Sequence, residues 1–366
     1  MARAPGSNIP FAPVATLIRL VVANGGVHLR RIPALSAYLL RYLLLEPFRL
    51  LDRLVHGRRI ASHVLSEPPV FILGHWRSGT SYLQTLLRED PRLETSTVFR
   101  SFFADNFLVT ESWLKPILTL VARAAGLRFH IQRVPLEWDL PAEGDVGLCS
   151  LSSEYSYTWG QLFPTRFERW FKRLILLPEE EVAERWLQDY DHFLRKLSYR
   201  SGGKRLLIKS PGDTARVAQL LKQYPDARFV YIHRDPIAVF HSNRYLWEVI
   251  QGQHGFQCIS DAERDEIIVS HYADLLESYL EHRAVVPSSQ LVEIRYEDLK
   301  EAPLETLEGV YQTLGLGELP REAISSFTRK QRPYQARDYV TSPELEASLK
   351  KRWGFAFDHW SSRPGE

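Results

Sequence analysis

The chain has 366 residues, 45% of them hydrophobic, enough to bury a large core as one big domain or as a domain with a cap. A formal net charge of +2 without a dense Lys/Arg run argues against a nucleic-acid surface and leaves small molecules as the expected partners. The two cysteines, Cys149 and Cys258, lie outside any metal-ligand spacing and read as buried free thiols; they exclude a disulfide framework, which suits a reducing cytoplasm.

In chain order, the N-terminal stretch lacks the small-residue cleavage site of a secretory signal. Its longest apolar segment, IPALSAYLLRYLLLEPFRLLDRL, is broken by Arg41, Glu46, Pro47 and Arg49, whereas a bilayer-spanning helix needs about 20 mostly apolar residues. Leu39, Leu40, Tyr42, Leu43 and Leu44 fit a buried or half-buried helix pair hinged at Pro47. The alternative is a basic amphipathic helix lying on a membrane. The expected location is therefore the cytoplasm, with peripheral membrane contact through these helices as the variant reading.

From Pro69 onward strands and helices alternate. PVFIL is a short continuous apolar run of the kind found in a strand covered on both faces, and TSYLQTLLRED follows as a helix with Tyr82, Leu83, Leu86 and Leu87 on one face. Between them lies GHWRSGTS, residues 74 to 81. It meets the phosphate-loop pattern G-x-x-x-x-G-K-[ST] at Gly74, Gly79 and Ser81, but Thr80 stands where the lysine should be and Arg77 supplies a cation three residues earlier. Backbone amides of such a turn and the positive end of the next helix hold a phosphate, with Ser78, Thr80 and Ser81 adding hydroxyl donors. Without the lysine, a metal-bound polyphosphate is disfavoured.

More than a hundred residues rich in Trp, Phe, Tyr and Pro follow. Helical periods such as EEEVAERWLQDYDHFLRKL suggest a helical cap inserted over the ligand edge of the sheet. Trp138, Tyr155, Tyr157, Trp159 and Trp247 are candidate walls of an acceptor pocket, although core packing accounts for each of them as well.

RLLIKS (205–210), RFVYIHR (228–234) and LVEIRY (291–296) read as further strands, which predicts a doubly covered α/β fold with a parallel sheet. Asp235 and Pro236 supply a cap and first-turn proline for the helix after the third strand. Arg234 at that strand's end and Ser242 on the helix can grip a second phosphate, because a guanidinium fork and a hydroxyl donate in parallel. Two grips imply a doubly phosphorylated nucleotide. Residues 245 to 265 read as a loop, and the segment after Phe327 shows no legible period.

RSGTS, HRDPIAVFHS and RYEDL, in this order and each at a strand end, resemble the sulfotransferases that use 3'-phosphoadenosine 5'-phosphosulfate (PAPS). The likeness covers roughly residues 68 to 300, and GHWRSGT with IKSP points to the bacterial branch. It implies a P-loop-like parallel sheet flanked by helices, with 1–66 as an N-terminal helical segment, 67–325 as the sulfotransferase domain with a cap at about 95–200, and 326–366 as a basic, aromatic tail. It also implies PAPS as co-substrate, 3',5'-bisphosphoadenosine (PAP) as product, no metal, and a hydroxylated small-molecule, lipid or sugar acceptor.

By the same resemblance Arg77, Ser78, Gly79, Thr80 and Ser81 form the 5' site, Arg234 and Ser242 the 3' site, and Tyr296 lies near the adenine. Tyr296 reads equally as a half-buried strand-end aromatic. Arg77 and Lys209 are the cations implied beside the scissile bond, although Lys209 alone would be read as a solvated rim residue. For the base, Pro211 stands where the animal cytosolic enzymes have a histidine, and Glu94 is out of register with the tyrosine-protein branch. LPAEGDVG resembles the acidic cluster of the bacterial branch and makes Glu143 the candidate base, with Asp145 beside it and His75 and His130 as rivals. A small-molecule kinase and a non-catalytic nucleotide-binding protein are the other function classes compatible with these residues.

Overall fold

The computed structural model describes residues 12–126, 128–129, 134–135, 137–151, 154–253, 255–330 and 340–360. Seven strands are present among them: β1 (Val70–Leu73), β2 (Leu93–Thr95), β3 (Arg128–Phe129), β4 (Val134–Pro135), β5 (Arg205–Lys209), β6 (Arg228–His233) and β7 (Leu291–Arg295). Five of them form one sheet in the order β2-β5-β1-β6-β7, and β3 and β4 make a small antiparallel pair. β1 runs parallel to both β5 and β6, with Ile72 opposite Lys209 and Val230, and β6 runs parallel to β7, with His233 opposite Arg295. All four residues of β1 are buried, as the continuous apolar run requires of a central strand covered on both faces.

Contacts divide the chain into two compact units, one comprising 1–66, 95–203 and 246–260, the other 67–94, 204–245 and 261–366. The second unit holds β1 and β5 to β7. Its core stacks Val70, Ile72, Leu207, Val230 and Ile232 of the sheet against Leu83, Leu86 and Leu87 of the helix Thr80–Leu87 and Leu307, Val310 and Leu314 of the helix Pro303–Leu314. A Leu86→Ala truncation in such packing costs about 2–5 kcal/mol. β1, β5 and β6 end at the loops that begin at Gly74, Ser210 and Arg234, and β7 ends at the helix Tyr296–Glu301, the edge at which open parallel sheets take ligands.

The first unit is helical. Its long helices are Ile32–Ser62, Phe107–Ala124 and Glu180–Arg200. A buried ion pair, Lys196 Nζ to Asp52 Oδ1 at 2.9 Å, joins the first of them to the third. Glu111 accepts from Arg100 at 3.1 Å and from Arg200 at 2.9 Å.

Five expectations change. The segment around Pro47 is one helix, Ile32–Ser62, not a hinged pair, and Pro47 lies on its exposed side. Leu40, Leu43 and Leu44 of that helix are exposed rather than buried. Residues up to Gln253 continue the helix Pro236–Gln253 where a loop was expected, and the segment after Phe327 contains the helix Pro343–Trp360, kinked at Trp353, which buries Leu349, Trp353, Ala356 and Trp360. Cys258 is exposed and Cys149 half-buried, so neither is the fully buried thiol expected, although the surroundings of Cys149 push its pKa up to about 12 by desolvation.

Candidate active site

The glycine loop is held in shape by its backbone. Gly74 follows β1 at φ 139°, and a Cβ there would lie 2.4 Å from the Ile232 carbonyl oxygen, so only glycine fits between two adjacent strands. Its amide donates to Thr214 Oγ1 at 2.8 Å. Arg77 takes a left-handed φ of 72°, a conformation seldom adopted by a residue with a long side chain. Gly79, at φ 108°, opens the helix Thr80–Leu87, and a Cβ on it would lie 2.4 Å from Cδ2 of Tyr296. Ser78 Oγ is buried without a hydrogen-bond partner. A buried orphan hydroxyl beside a helix N-terminus is what an oxyanion would satisfy, so the loop fits the phosphate end of a nucleotide.

Arg77 Nε donates to Ser242 Oγ at 2.9 Å, joining the loop to the helix after β6. The Arg234 guanidinium carbon sits 4.7 Å from the centroid of the Tyr296 ring, and its Nη1 reaches the Arg77 carbonyl at 3.4 Å. Asn243 Nδ2 donates to the Trp76 carbonyl at 2.9 Å, pinning the loop a second time. The loop residues Arg77 to Ser81, together with Ser242, Arg234 and Tyr296, are therefore neighbours within one unit. Asp235 is exposed, and its Oδ2 accepts from the Ala238 amide at 2.7 Å, the capping role expected of it.

Lys209 ends β5 and is only 4% exposed, not a solvated rim residue. Beside it the short turn Pro211–Ala215 carries Thr214, the partner of Gly74, and the turn is locked by the fully buried pair of Arg216 and Asp213 at 3.1 Å. Thr214, Arg216 and Asn243 escaped the sequence reading, since each acts on the loop's backbone or on a neighbour and belongs to no ligand motif.

Glu143 belongs to the helical unit, immediately before the helix Gly144–Ser150. It is half-buried, and the Tyr157 hydroxyl donates to its Oε2 at 3.1 Å. Asp145, in the first turn of that helix, is buried. His75 is buried against Tyr272, with ring centroids 4.9 Å apart, and its Nδ1 bonds the Trp76 carbonyl at 2.9 Å. Burial pushes its pKa down to about 4, so the ring stays neutral and enclosed. His130 lies outside the described residues. Of the aromatic candidates, Tyr157, Trp159 and Trp247 are buried, the last against Phe167 at 4.8 Å, while Trp138 and Tyr155 are half-buried.

A parallel sheet whose first strand feeds a glycine loop at a helix N-terminus, with an arginine and a serine brought to that loop by a neighbouring strand and its helix, defines a protein of P-loop-like fold. Residues 68–320 match the model of the Sulfotransferase family, and the chain belongs to that family. It is thus an enzyme of O-sulfation, and PAPS is the sulfuryl donor that membership implies. Over 316 residues it is 31% identical to the omega-hydroxy-beta-dihydromenaquinone-9 sulfotransferase Stf3 of Mycobacterium bovis and of Mycobacterium tuberculosis, covering 84% of this chain and 79% of the relative. Two solved structures share its fold. Sulfotransferase STF9 of Mycobacterium avium aligns with a TM-score of 0.68 at 17% identity, covering 86% of this chain and 82% of its own. STF1 of Mycobacterium tuberculosis aligns at 0.66 and 18% identity, covering 95% and 93%.

Proposed function

We propose that the chain moves the sulfuryl group of PAPS onto the hydroxyl of a lipid-like acceptor and releases PAP. The observation that carries this reading is the 2.9 Å bond from Arg77 to Ser242, beside an Arg234 that lies over the same Tyr296 ring that packs on Gly79. Through these contacts the glycine loop, Arg234, Ser242 and Tyr296 form one continuous wall, on which the two proposed anion grips would lie side by side.

Ser78, Thr80, Ser81 and the first amides of their helix would hold the 5' end, Arg234 and Ser242 the 3'-phosphate, and Tyr296 the adenine side. PAPS supplies a sulfuryl group that passes in line from its bridging oxygen to the acceptor oxygen. The work of this chain is to orient that donor and to steady the negative charge left behind. Arg77 keeps its charge at any working pH and suits that task; Lys209, sheltered at the end of β5, is the second cation proposed. Glu143 is the residue proposed to take the acceptor's proton. No metal is assigned, because fixed cations suffice for a group carrying less charge than a phosphoryl. The lipid-like acceptor is suggested by the name of the relative Stf3, an omega-hydroxy-menaquinone sulfotransferase.

The test is sulfuryl transfer from labelled PAPS to a panel of hydroxylated isoprenoids, phenols and sugars, with PAP and ATP binding measured by calorimetry. PAP should bind and ATP should not compete, EDTA should leave turnover unchanged, and isoprenoid alcohols should be sulfated first. Transfer that requires ATP and magnesium would point to a kinase. PAP binding without turnover on any acceptor would leave a scaffold.

A further inference from the structure

The helix Ile32–Ser62 is built inside out. Its side toward the rest of the helical unit carries the ionic groups, with Asp52 paired to Lys196 and accepting from the Leu108 amide at 3.1 Å, and Arg49 bonded to Glu46. Its opposite side carries Leu40, Leu43, Leu44, Pro47, Leu50, Leu51, Leu54 and Val55, spaced three and four apart and all exposed, Leu54 by 82%. No charge interrupts that stripe over about 22 Å of helix.

The helix Phe107–Ala124, which packs beside it, repeats the inversion. Glu111 turns inward to Arg100 and Arg200, while Trp113, Pro116, Ile117, Leu120 and Val121 face out. The two stripes adjoin, since Phe48 on the flank of the first meets Trp113 on the second with ring centroids 5.2 Å apart. Ile18, Val22 and Leu29, nearer the N-terminus, are exposed as well. A soluble monomer rarely exposes a contiguous apolar patch above a few hundred Å².

We propose that this face seats the protein on the surface of an anionic lipid bilayer. Charge decides the occupant. The first 66 residues hold nine arginines and only two acids, and both acids are turned inward to a cationic partner, Asp52 to Lys196 and Glu46 to Arg49. Exposed Arg30 stands before the stripe and exposed Arg58 and Arg59 stand after it. That is the arrangement of an interfacial helix, whose apolar side enters the acyl boundary while cations at its ends reach anionic headgroups. A second copy docked antiparallel would offer Arg58 and Arg59 no exposed acid from the first 66 residues of its partner, since both acids there are already paired. No described helix is long and apolar enough to cross the membrane, so the face lies on it.

Flotation of the full 366-residue chain with phosphatidylcholine vesicles, alone or with added phosphatidylglycerol, tests this. Partition should be about tenfold or more stronger on the anionic vesicles and should fall with salt. Leu44→Glu/Leu51→Glu and Ile117→Glu should each lower it by about tenfold or more, and Arg58→Glu/Arg59→Glu by roughly tenfold, all with PAP affinity unchanged. The PAP readout separates this failure from failure of the sulfotransferase reading. A chain that stays in solution with both vesicles, or variants that float as the parent does, would overturn the proposal. So would a dimer in light scattering that Leu44→Glu/Leu51→Glu disperses while vesicle binding is absent.

Discussion

Replacing Gly79 by alanine strains the loop in two separable ways. The backbone sits at φ 108°, outside the regions an L-residue prefers, at a cost of about 1–3 kcal/mol. The new methyl would also lie 2.4 Å from Cδ2 of Tyr296 and 3.2 Å from Cδ1 of Ile232, so the ring must move, at a further cost of about 1–3 kcal/mol. A loop that escapes this strain by leaving its binding shape should lose PAP affinity by roughly thirtyfold or more, since about 1.4 kcal/mol is a factor of ten. Calorimetric titration of PAP reads the loss. In a Tyr296→Ala background the clash with the ring is removed while the tight approach to Ile232 and the backbone part remain, so the second Gly79→Ala step should cost less than the first. A Gly79→Ala enzyme that binds PAP within threefold of the parent, or two steps of equal cost, would refute the packing of Tyr296 on the loop.

Arg234→Ala should weaken PAP by about tenfold to a hundredfold through lost charge-assisted hydrogen bonds, and Arg234→Lys should recover only part of this, both read by calorimetry. Arg77→Ala should lower kcat more than PAP affinity; an unchanged single-turnover rate would remove it from the chemistry. Lys196→Met should destabilise the helical unit by about 3–5 kcal/mol in chemical denaturation, because Asp52 is left buried without its cation. His75 is held neutral by burial, with its pKa pushed from 6.5 down to about 4, so the unfolded chain takes up a proton before the folded one does. Its contribution is complete above pH 6.5 and is lost as pH falls toward 4. His192 and His233, also lowered to about 4 by burial, add to the same slope, so His75→Gln should reduce it by up to about one proton without abolishing it.

Much of the sheet was legible in the sequence because its central strands are buried on both faces and spell continuous apolar runs. VFIL, RLLIK and RFVYIH each became a strand at the expected place, as did the less buried edge strand LVEIR. β2 was not legible: three residues, Leu93–Thr95, are too few to show a period. In the helix Pro343–Trp360 the buried residues Leu349, Trp353, Ala356 and Trp360 do recur at helical spacing, but Lys350, Lys351, Arg352 and Gly354 between them dilute the signal. The largest misreading was of direction. Apolar periodicity locates a stripe on a helix without saying which side the protein covers, and in Ile32–Ser62 the ionic side is the covered one.

The motifs singled out the loop, Arg234, Ser242 and Tyr296, which the structure brings together, the loop, Arg234 and Tyr296 at strand ends and Ser242 on the helix Pro236–Gln253. The left-handed Arg77, the orphan hydroxyl of Ser78 and the bracing by Thr214 and Asn243 are properties of the folded backbone and have no local sequence signature. Neither does the hydroxyl that Tyr157 extends to Glu143 from fourteen residues away.

The most direct measurement of the central claim is a crystal structure with PAP bound. The account predicts the 3'-phosphate within hydrogen-bond reach of Arg234 and Ser242, and the 5'-phosphate on the amides and hydroxyls of Ser78 to Ser81. A nucleotide bound with either phosphate away from its assigned grip would contradict it.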